Sequence, residues 1–512
     1  MERKNEIKKY MKNLKFLLIA AFAALAMGAC DKDDSHSVSF EKLAYYFKWG
    51  GEPQVAEYTS VNVASIVVKS VSDGWACEVD HAARTVKITP PKDPVDEAQR
   101  DKLRNGSATL NVIAENGEAS KYTFNFYIVG DKSVHLNPNG EYANSYVVNE
   151  PTTLYSLDVS ANGAGEPLSG VEDVKMLWQS NASLLQHVDY DAESHSVSFF
   201  VDCKKDDDGK AIVENGGHVL VEGNAVIAAY NGSDEIVWSW HIWVVAKDVL
   251  GEYDTYANGR KFMQVNLGAF GNSNGATESE HILASYGLYY QWGRKDPFMR
   301  PKTYNCAGGD DEAAYGVSGS SVYVSTVETD EKTGTVEYAT ANPATMIINP
   351  ACVGEEGDGV GDWLHVRNSN LWSNTSKSVA DPCPYGWRVP AKSDFDVLSL
   401  SAAEDATDLA EARKRFGWSL TDGANSYFYL GGGFRSYFDG VIVNMNYKTD
   451  VYPSTPEPWE GYYWTAGTTA DGKYSTCMYF DLTTTRTINK FNLNHPSRRA
   501  NAMQVRCVKI DK

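Results

Sequence analysis

Residues 223–245 read GNAVIAAYNGSDEIVWSWHIWVV, two apolar runs joined by Asn231-Gly232. Asparagine and glycine tolerate the left-handed backbone that a tight turn needs, so this spacing predicts a β-hairpin. Side chains alternate along a strand, which puts Trp238 and Trp240 on one face and Trp243 on the other. Two tryptophans on one face would either stack on a sugar ring or fill the space between two sheets; core filling is the expectation. His241, in the same run, reads as a hydrogen-bonded core histidine rather than a metal ligand.

The pattern recurs upstream. SATLNVIAENGEASKYTFNFYIV (107–129) reads as a hairpin turning at Glu115-Asn116-Gly117, and GWACEVDHAARTVKITPP (74–91) alternates Thr85, Lys87 and Thr89 against Val86 and Ile88. VNVASIVVKS (61–70) is a β-branched strand. Long 3.6-period segments are scarce, while aromatic residues make up 12% and glycines number 42. A mainly β protein with many turns is the consequence.

The first thirty residues set the compartment. Arg3, Lys4, Lys8, Lys9, Lys12 and Lys15 form a basic region ahead of FLLIAAFAALA, Phe16 to Ala26. That apolar run is shorter than the roughly 20 residues that span a bilayer and suits a signal peptide. It ends in LAMGAC, which resembles a bacterial lipobox with Cys30 as the lipid-modified mature N-terminus. The alternative is an ordinary secretory signal cut near Ala29; a start at Met11 instead of Met1 changes nothing downstream. Asp31-Lys32-Asp33-Asp34 resembles the export signal that carries Bacteroidota lipoproteins to the outer face of the outer membrane, the alternative being a solvated tether. The expected location is therefore the outer membrane, lipid-anchored and facing outward.

The formal net charge is −20, and removing the basic leader makes it more negative still. Such a field repels phosphate backbones and excludes nucleic acid as a partner. The 512 residues divide into a leader (1–29), an acidic tether (30–36), two β-sandwiches (37–130 and 131–250) and a larger third unit (251–512). In the third unit, SDFDVLSL (393–400) reads as a helix start capped by Ser393, and Asp405 to Phe416 as a helix stopped by Gly417. Short strands come after it, with Asp471-Gly472 as a turn between two of them. No HExxH, P-loop or paired CxxC is present. Asp206-Asp207-Asp208-Gly209 lacks the spacing of a calcium loop, and Gly308-Gly309-Asp310-Asp311-Glu312 reads as a solvated loop. No catalytic residue, metal or cofactor is therefore predicted.

Three resemblances sharpen this. The W-x-C-x-V … V-x-I-T-P run from Trp75 to Pro90 resembles the BACON-type immunoglobulin-like domains of Bacteroidota surface proteins. The 223–245 segment resembles one that precedes the C-terminal module of Bacteroidales surface lipoproteins. GLYYQWGRKDPF (287–298), DPCPYGWRVP (381–390), YYWTAG (462–467) and VRCVK (505–509) stand in the order seen in the Fibrobacter succinogenes major paralogous domain, which the C-terminal half resembles. That resemblance implies a mixed α+β domain related to C-type lectins and formylglycine-generating-enzyme-like domains, found in surface lipoproteins and at the ends of fimbria-like proteins. It carries no catalytic residue over.

The resemblance also implies a disulfide. C-type-lectin-like folds tie a mid-domain cysteine to the last strand, and here the roles fall to Cys383, in its proline-rich loop, and Cys507. Cys306–Cys352 is a possible second pair; the partners of Cys77, Cys203 and Cys477 stay open. The calcium-binding elements of such lectins are missing, Glu457-Pro458-Trp459 being a superficial echo. For a ligand, the candidates are Arg435 and Tyr437 after Gly431-Gly432-Gly433, Trp459 after Pro458 in the loop VYPSTPEPW, and Tyr462. For Trp459 the competing expectation is a ring folded back over the domain. The implied function is non-catalytic binding of a glycan or host protein, or assembly into a fimbria-like structure. The alternative is an enzyme, carbohydrate-active or a formylglycine-type oxidase.

Overall fold

In the computed structural model the alternating segments are strands. It describes residues 36–511 apart from 41–42, 95–96, 129–132, 207–210, 274–275, 304–310, 318, 354–358, 401–414, 446–458 and 483–490. The chain packs as two compact units, up to Lys132 and Ser133–Lys512. The protein is mainly β: helices among the described residues are short, Glu97–Leu103, Ser279–Ala284 and Val336–Ala341.

The first unit holds two four-stranded sheets. One orders Ser37–Phe40, Gln54–Val61, Thr85–Thr89 and Ala76–Asp80; the other orders Ala44–Phe47, Ala119–Ile128, Asn105–Ala114 and Val63–Val71. Residues alternating inward from both, among them Tyr58, Val86, Ile88, Leu110, Val112, Phe124 and Phe126, share one core, as a sandwich requires. Trp75 lies in that core, and its indole N–H donates to the Leu103 carbonyl at 3.0 Å. Gly106 makes room for it: a Cβ there would fall 2.5 Å from the ring. The turn at Gly117 has φ 86°, as the Asn-Gly pair predicted.

In the second unit a four-stranded sheet (Gln186–Asp191, Ser196–Val201, Thr153–Asp158, Ser133–His135) faces a six-stranded one. The latter orders Ser145–Val148, Ile236–Val244, Gly223–Tyr230, Asp173–Gln179, Ala314–Tyr315 and Ser321–Val322. Its last two strands come from the C-terminal half of the chain. Trp238, Trp240, Ile242 and Val244 pack toward the four-stranded sheet. Trp243 and Val245, with Val226 and Trp178, pack the other way, against Met263, Leu267, Trp292, Trp387 and Trp464. A sheet covered on both faces needs apolar side chains at nearly every position, which is why 223–230 and 236–244 read as almost continuous apolar runs.

The hairpin turn differs in detail from the sequence expectation. It spans 231–235: Asn231 accepts on its side chain from the backbone N–H groups of Ser233 and Glu235, at 2.9 and 3.0 Å. The left-handed residue is Asp234 at φ 61°. Gly232 serves a close approach instead, since a Cβ there would meet the Glu172 carboxylate at 2.8 Å.

The rest of the second unit is a set of small sheets around shared cores. The strand Glu460–Thr468 pairs antiparallel with Ser475–Asp481, turning through Gly472 at φ 66° as expected. The helix start expected at Ser393 is corrected to a single 3₁₀ turn, Lys392–Asp394, capped at Ala391. The Asp394 carboxylate accepts from Ala391 N at 2.7 Å and from Arg388 Nη1 at 2.8 Å, and Ser399–Leu400 then joins Gly417–Thr421 as a strand. Sheet pairing takes the backbone bonds that a helix would have used. The helix expected over Asp405 to Phe416 lies outside the described residues up to 414; Gly417, expected as its stop, begins a strand.

Candidate functional site

The loop Asp381–Pro390 is folded around one carboxylate. Asp381 is fully buried, and its two oxygens accept from the backbone N–H groups of Cys383 and Val389, each at 2.9 Å. Lys377 Nζ reaches the same carboxylate at 3.0 Å and also donates to the Cys383 carbonyl. Burial pushes the Lys377 amine below its ordinary range, and Asp381 pulls it back up. Asn144 Nδ2 donates to the carbonyls of Val379 and Asp381 at 2.7 and 2.8 Å, and Ser145 Oγ to that of Pro382 at 2.6 Å. A disulfide joins Cys383 to Cys507, Cα atoms 6.0 Å apart across 124 positions. Trp387 packs beneath, buried. The backbone of the loop is thus fixed, its tip included, where Trp387 N–H donates to Pro384 O at 3.0 Å and Ile510 N–H to Gly386 O at 2.9 Å; the Tyr385 side chain projects there, 55% exposed, beside Gly386 at φ 77°.

Tyr385 lines a cleft of about 1020 Å³ with Tyr142, Lys261, Lys377, Lys509 and a rim of glycines. Tyr142 is held in place: its hydroxyl donates to Asp158 at 2.8 Å, and Gly165 lies so close that a Cβ would sit 3.2 Å from the ring. Lys261 and Lys509 both rest over the Tyr253 ring, at 5.0 and 4.6 Å from its centroid. Asp511, at the rim, is paired with Arg260. A second cavity of about 390 Å³ shares Ala164 and Lys377 with the cleft and is lined mainly by apolar groups, including Trp238, Trp363 and Leu371. There Lys295 is paired with Asp296 at 2.6 Å, and its amine is pushed down by burial. Such an arrangement offers fixed aromatic faces, two cations and backbone polar groups to an extended ligand.

The four ligand candidates chosen from sequence do not form this site. Trp459 is buried on Phe416, ring centroids 4.7 Å apart, and its indole N–H donates to Gly431 O at 3.1 Å. Tyr462 is buried and donates to Glu460 at 2.6 Å; Tyr479 donates to the same carboxylate at 2.8 Å. Arg435 is buried and donates to Met299 O at 2.7 Å and Asp311 at 2.5 Å. Tyr437 is half-buried under Arg498, whose guanidinium lies 4.4 Å from its centroid. Gly431-Gly432-Gly433 does not lift a binding loop. It admits close neighbours, with Gly433 at φ 58° and a notional Cβ 2.0 Å from Val443 O. Sequence reasoning missed Tyr142, Tyr385, Lys261 and Lys509. Tyr385 had a signal: it stands between Pro384 and Gly386 at the turn of a proline-rich loop, where an aromatic side chain has no neighbour in the sequence to pack against.

Cys30 and Cys306 lie outside the described residues, and with them the lipidation and the Cys306–Cys352 pairing. Burial pushes the thiols of Cys77 and Cys203 up to about 11, and that of Cys477 higher still, which suppresses thiolate chemistry. Gly271 to Gly275 spells Gly-x-Ser-x-Gly, but Ser273 Oγ is buried and has no hydrogen-bonding partner among the described residues. Among those residues, too, no group of three His, Cys, Asp or Glu side chains is placed to hold a metal ion.

No family model matches the chain, and no curated protein is similar to it. Solved structures with a partial likeness include a SrpA adhesin mutant from Streptococcus sanguinis: 11% identity over 24% of this chain and 68% of that one, TM-score 0.16. The endo-fucoidan hydrolase MfFcnA4 of glycoside hydrolase family 107 matches at 7% identity over 43% of this chain and 29% of its own, TM-score 0.16. The Bacteroides ovatus mixed-linkage glucan utilization locus protein SGBP-B, in complex with a mixed-linkage heptasaccharide, matches at 12% identity over 42% of this chain and 46% of its own, TM-score 0.12. Scores this low carry no argument about what this chain does.

Proposed function

We propose that this is a non-catalytic, lipid-anchored cell-surface protein that binds a glycan in the cleft between Tyr142 and Tyr385. The observation that carries the reading is the pair of tyrosines, one pinned by Asp158 and one on the rigid Asp381–Pro390 loop, lining one cleft with lysine ammonium groups. Sugars present apolar faces to aromatic rings and hydroxyls to polar backbone, and a preformed site avoids the entropy of ordering. Anchoring through Cys30 at the outer face of the outer membrane rests on the leader, the lipobox-like LAMGAC and the acidic residues after it. The C-terminal motifs shared with the Fibrobacter succinogenes major paralogous domain support a surface role, including assembly with fimbria-like subunits.

A glycan array with the wild type, Tyr385→Ala and Trp459→Ala tests the cleft. Loss of the exposed Tyr385 ring should weaken binding about tenfold, roughly 1.4 kcal/mol, with the melting temperature unchanged. Trp459→Ala should cost on the order of 3–5 kcal/mol of stability, as buried aromatic deletions do, and leave the affinity of the folded fraction intact. Undiminished binding by Tyr385→Ala would remove the cleft from consideration.

A further inference from the structure

Resting on the glycan reading, the balance of charge at the cleft narrows the ligand. The chain as a whole is strongly acidic, at −20. Some of the carboxylates near the cleft are nevertheless ion-paired. Asp511 is bridged to Arg260. Asp381 is buried on Lys377 and two backbone N–H groups. Glu252 pairs with Lys247, while Asp158 and Asp254 accept from the neutral donors Tyr142 and Gln264 and keep their charge. Lys261 and Lys509 have no carboxylate partner among the described residues, and both are drawn onto the Tyr253 ring from adjacent strands. Two ammonium groups without an ion-pair partner, held at one aromatic ring and so within a Debye length (about 10 Å) of each other, place two positive charges side by side in a chain that is otherwise acidic.

We infer that the cleft takes an acidic polysaccharide. Its carboxylate or sulfate groups pair with Lys261 and Lys509 while its sugar faces lie on Tyr142 and Tyr385. The net negative charge of the chain opposes the approach of anionic polymers, so the lysines act in selection as well as affinity.

Four probes separate the possibilities: polygalacturonate against its fully methyl-esterified form, and dextran sulfate against dextran. The full-length soluble chain should bind at least one charged member tenfold or more tighter than its neutral twin, with an affinity that falls between 0.05 and 0.5 M salt. The first pair identifies a carboxylate ligand, the second a sulfate. The double variant K261Q/K509Q should lose most of that preference. K332Q/K473Q, which removes the same charge from exposed lysines outside the cleft, should keep it. Equal binding of charged and neutral twins, or equal loss in the two double variants, overturns the inference; Tyr385-dependent binding to neutral glycans would leave the glycan reading standing. Failure to bind these probes or any glycan on an array overturns both.

Discussion

His241 is a residue whose chemistry is decided by where it sits. Its Nδ1 lies 3.0 Å from Ser145 Oγ and its Nε2 2.9 Å from Asn224 Oδ1, and it is fully enclosed. Burial alone holds its pKa down to about 3. The unfolded chain would protonate it near 6.5, so the unfolded state binds the proton first. Its contribution to stability is complete above about pH 6.5 and is lost as pH falls toward 3, on the order of 2 kcal/mol by pH 5. Denaturant unfolding at pH 7.5 and pH 5 should show that loss in the wild type and a smaller one in H241Q. Equal losses would mean the proton is taken up elsewhere.

At the scale of elements, the Asp381–Pro390 loop is a rigid arm rather than a connector. Its three prolines remove backbone donors, Asp381 satisfies two of those left, and Cys383 ties it to the residue before the last strand, Val508–Lys509. Closing a loop of 124 positions is worth on the order of 4–5 kcal/mol in the chain-entropy view. The double variant C383S/C507S should therefore be about 2–5 kcal/mol less stable in chemical unfolding, and reductant should cost the wild type a similar amount while leaving the variant unmoved. Because Tyr385 sits two residues from Cys383, the same variant should bind glycan more weakly, a loss of preorganisation rather than of contact. Peptide mapping without reductant should recover Cys383 and Cys507 in one linked species.

At the scale of the whole molecule, the six-stranded sheet makes residues 133–250 dependent on the C-terminal half of the chain. Trp178, Val226, Trp243 and Val245 are buried against segments beyond residue 250, and two strands of the sheet, Ala314–Tyr315 and Ser321–Val322, come from there as well. A fragment of residues 133–250 should be insoluble or molten, exposing that apolar face, whereas residues 133–512 should fold cooperatively, as circular dichroism and dye binding would show. A well-folded 133–250 fragment would contradict the two-faced sheet.

Period-2 alternation, the Asn-Gly and Asp-Gly turns and the scarcity of helical spacing were legible in the sequence because each is a property of a few neighbouring residues. On that basis alone the chain had to be mainly β, with Trp238 and Trp240 opposite Trp243. The Cys383–Cys507 pair was reached through resemblance, not through spacing. Burial was not legible. Trp459 comes directly after a proline-rich loop, yet it is covered by Phe416 and Gly431, and Arg435 by Met299 and Asp311, partners no local window contains. The cleft draws on residues near 142, 165, 261, 385 and 509. Only the packed chain could bring those five segments together, because a concave surface is made by what surrounds it, while a strand or a turn is made by its own residues.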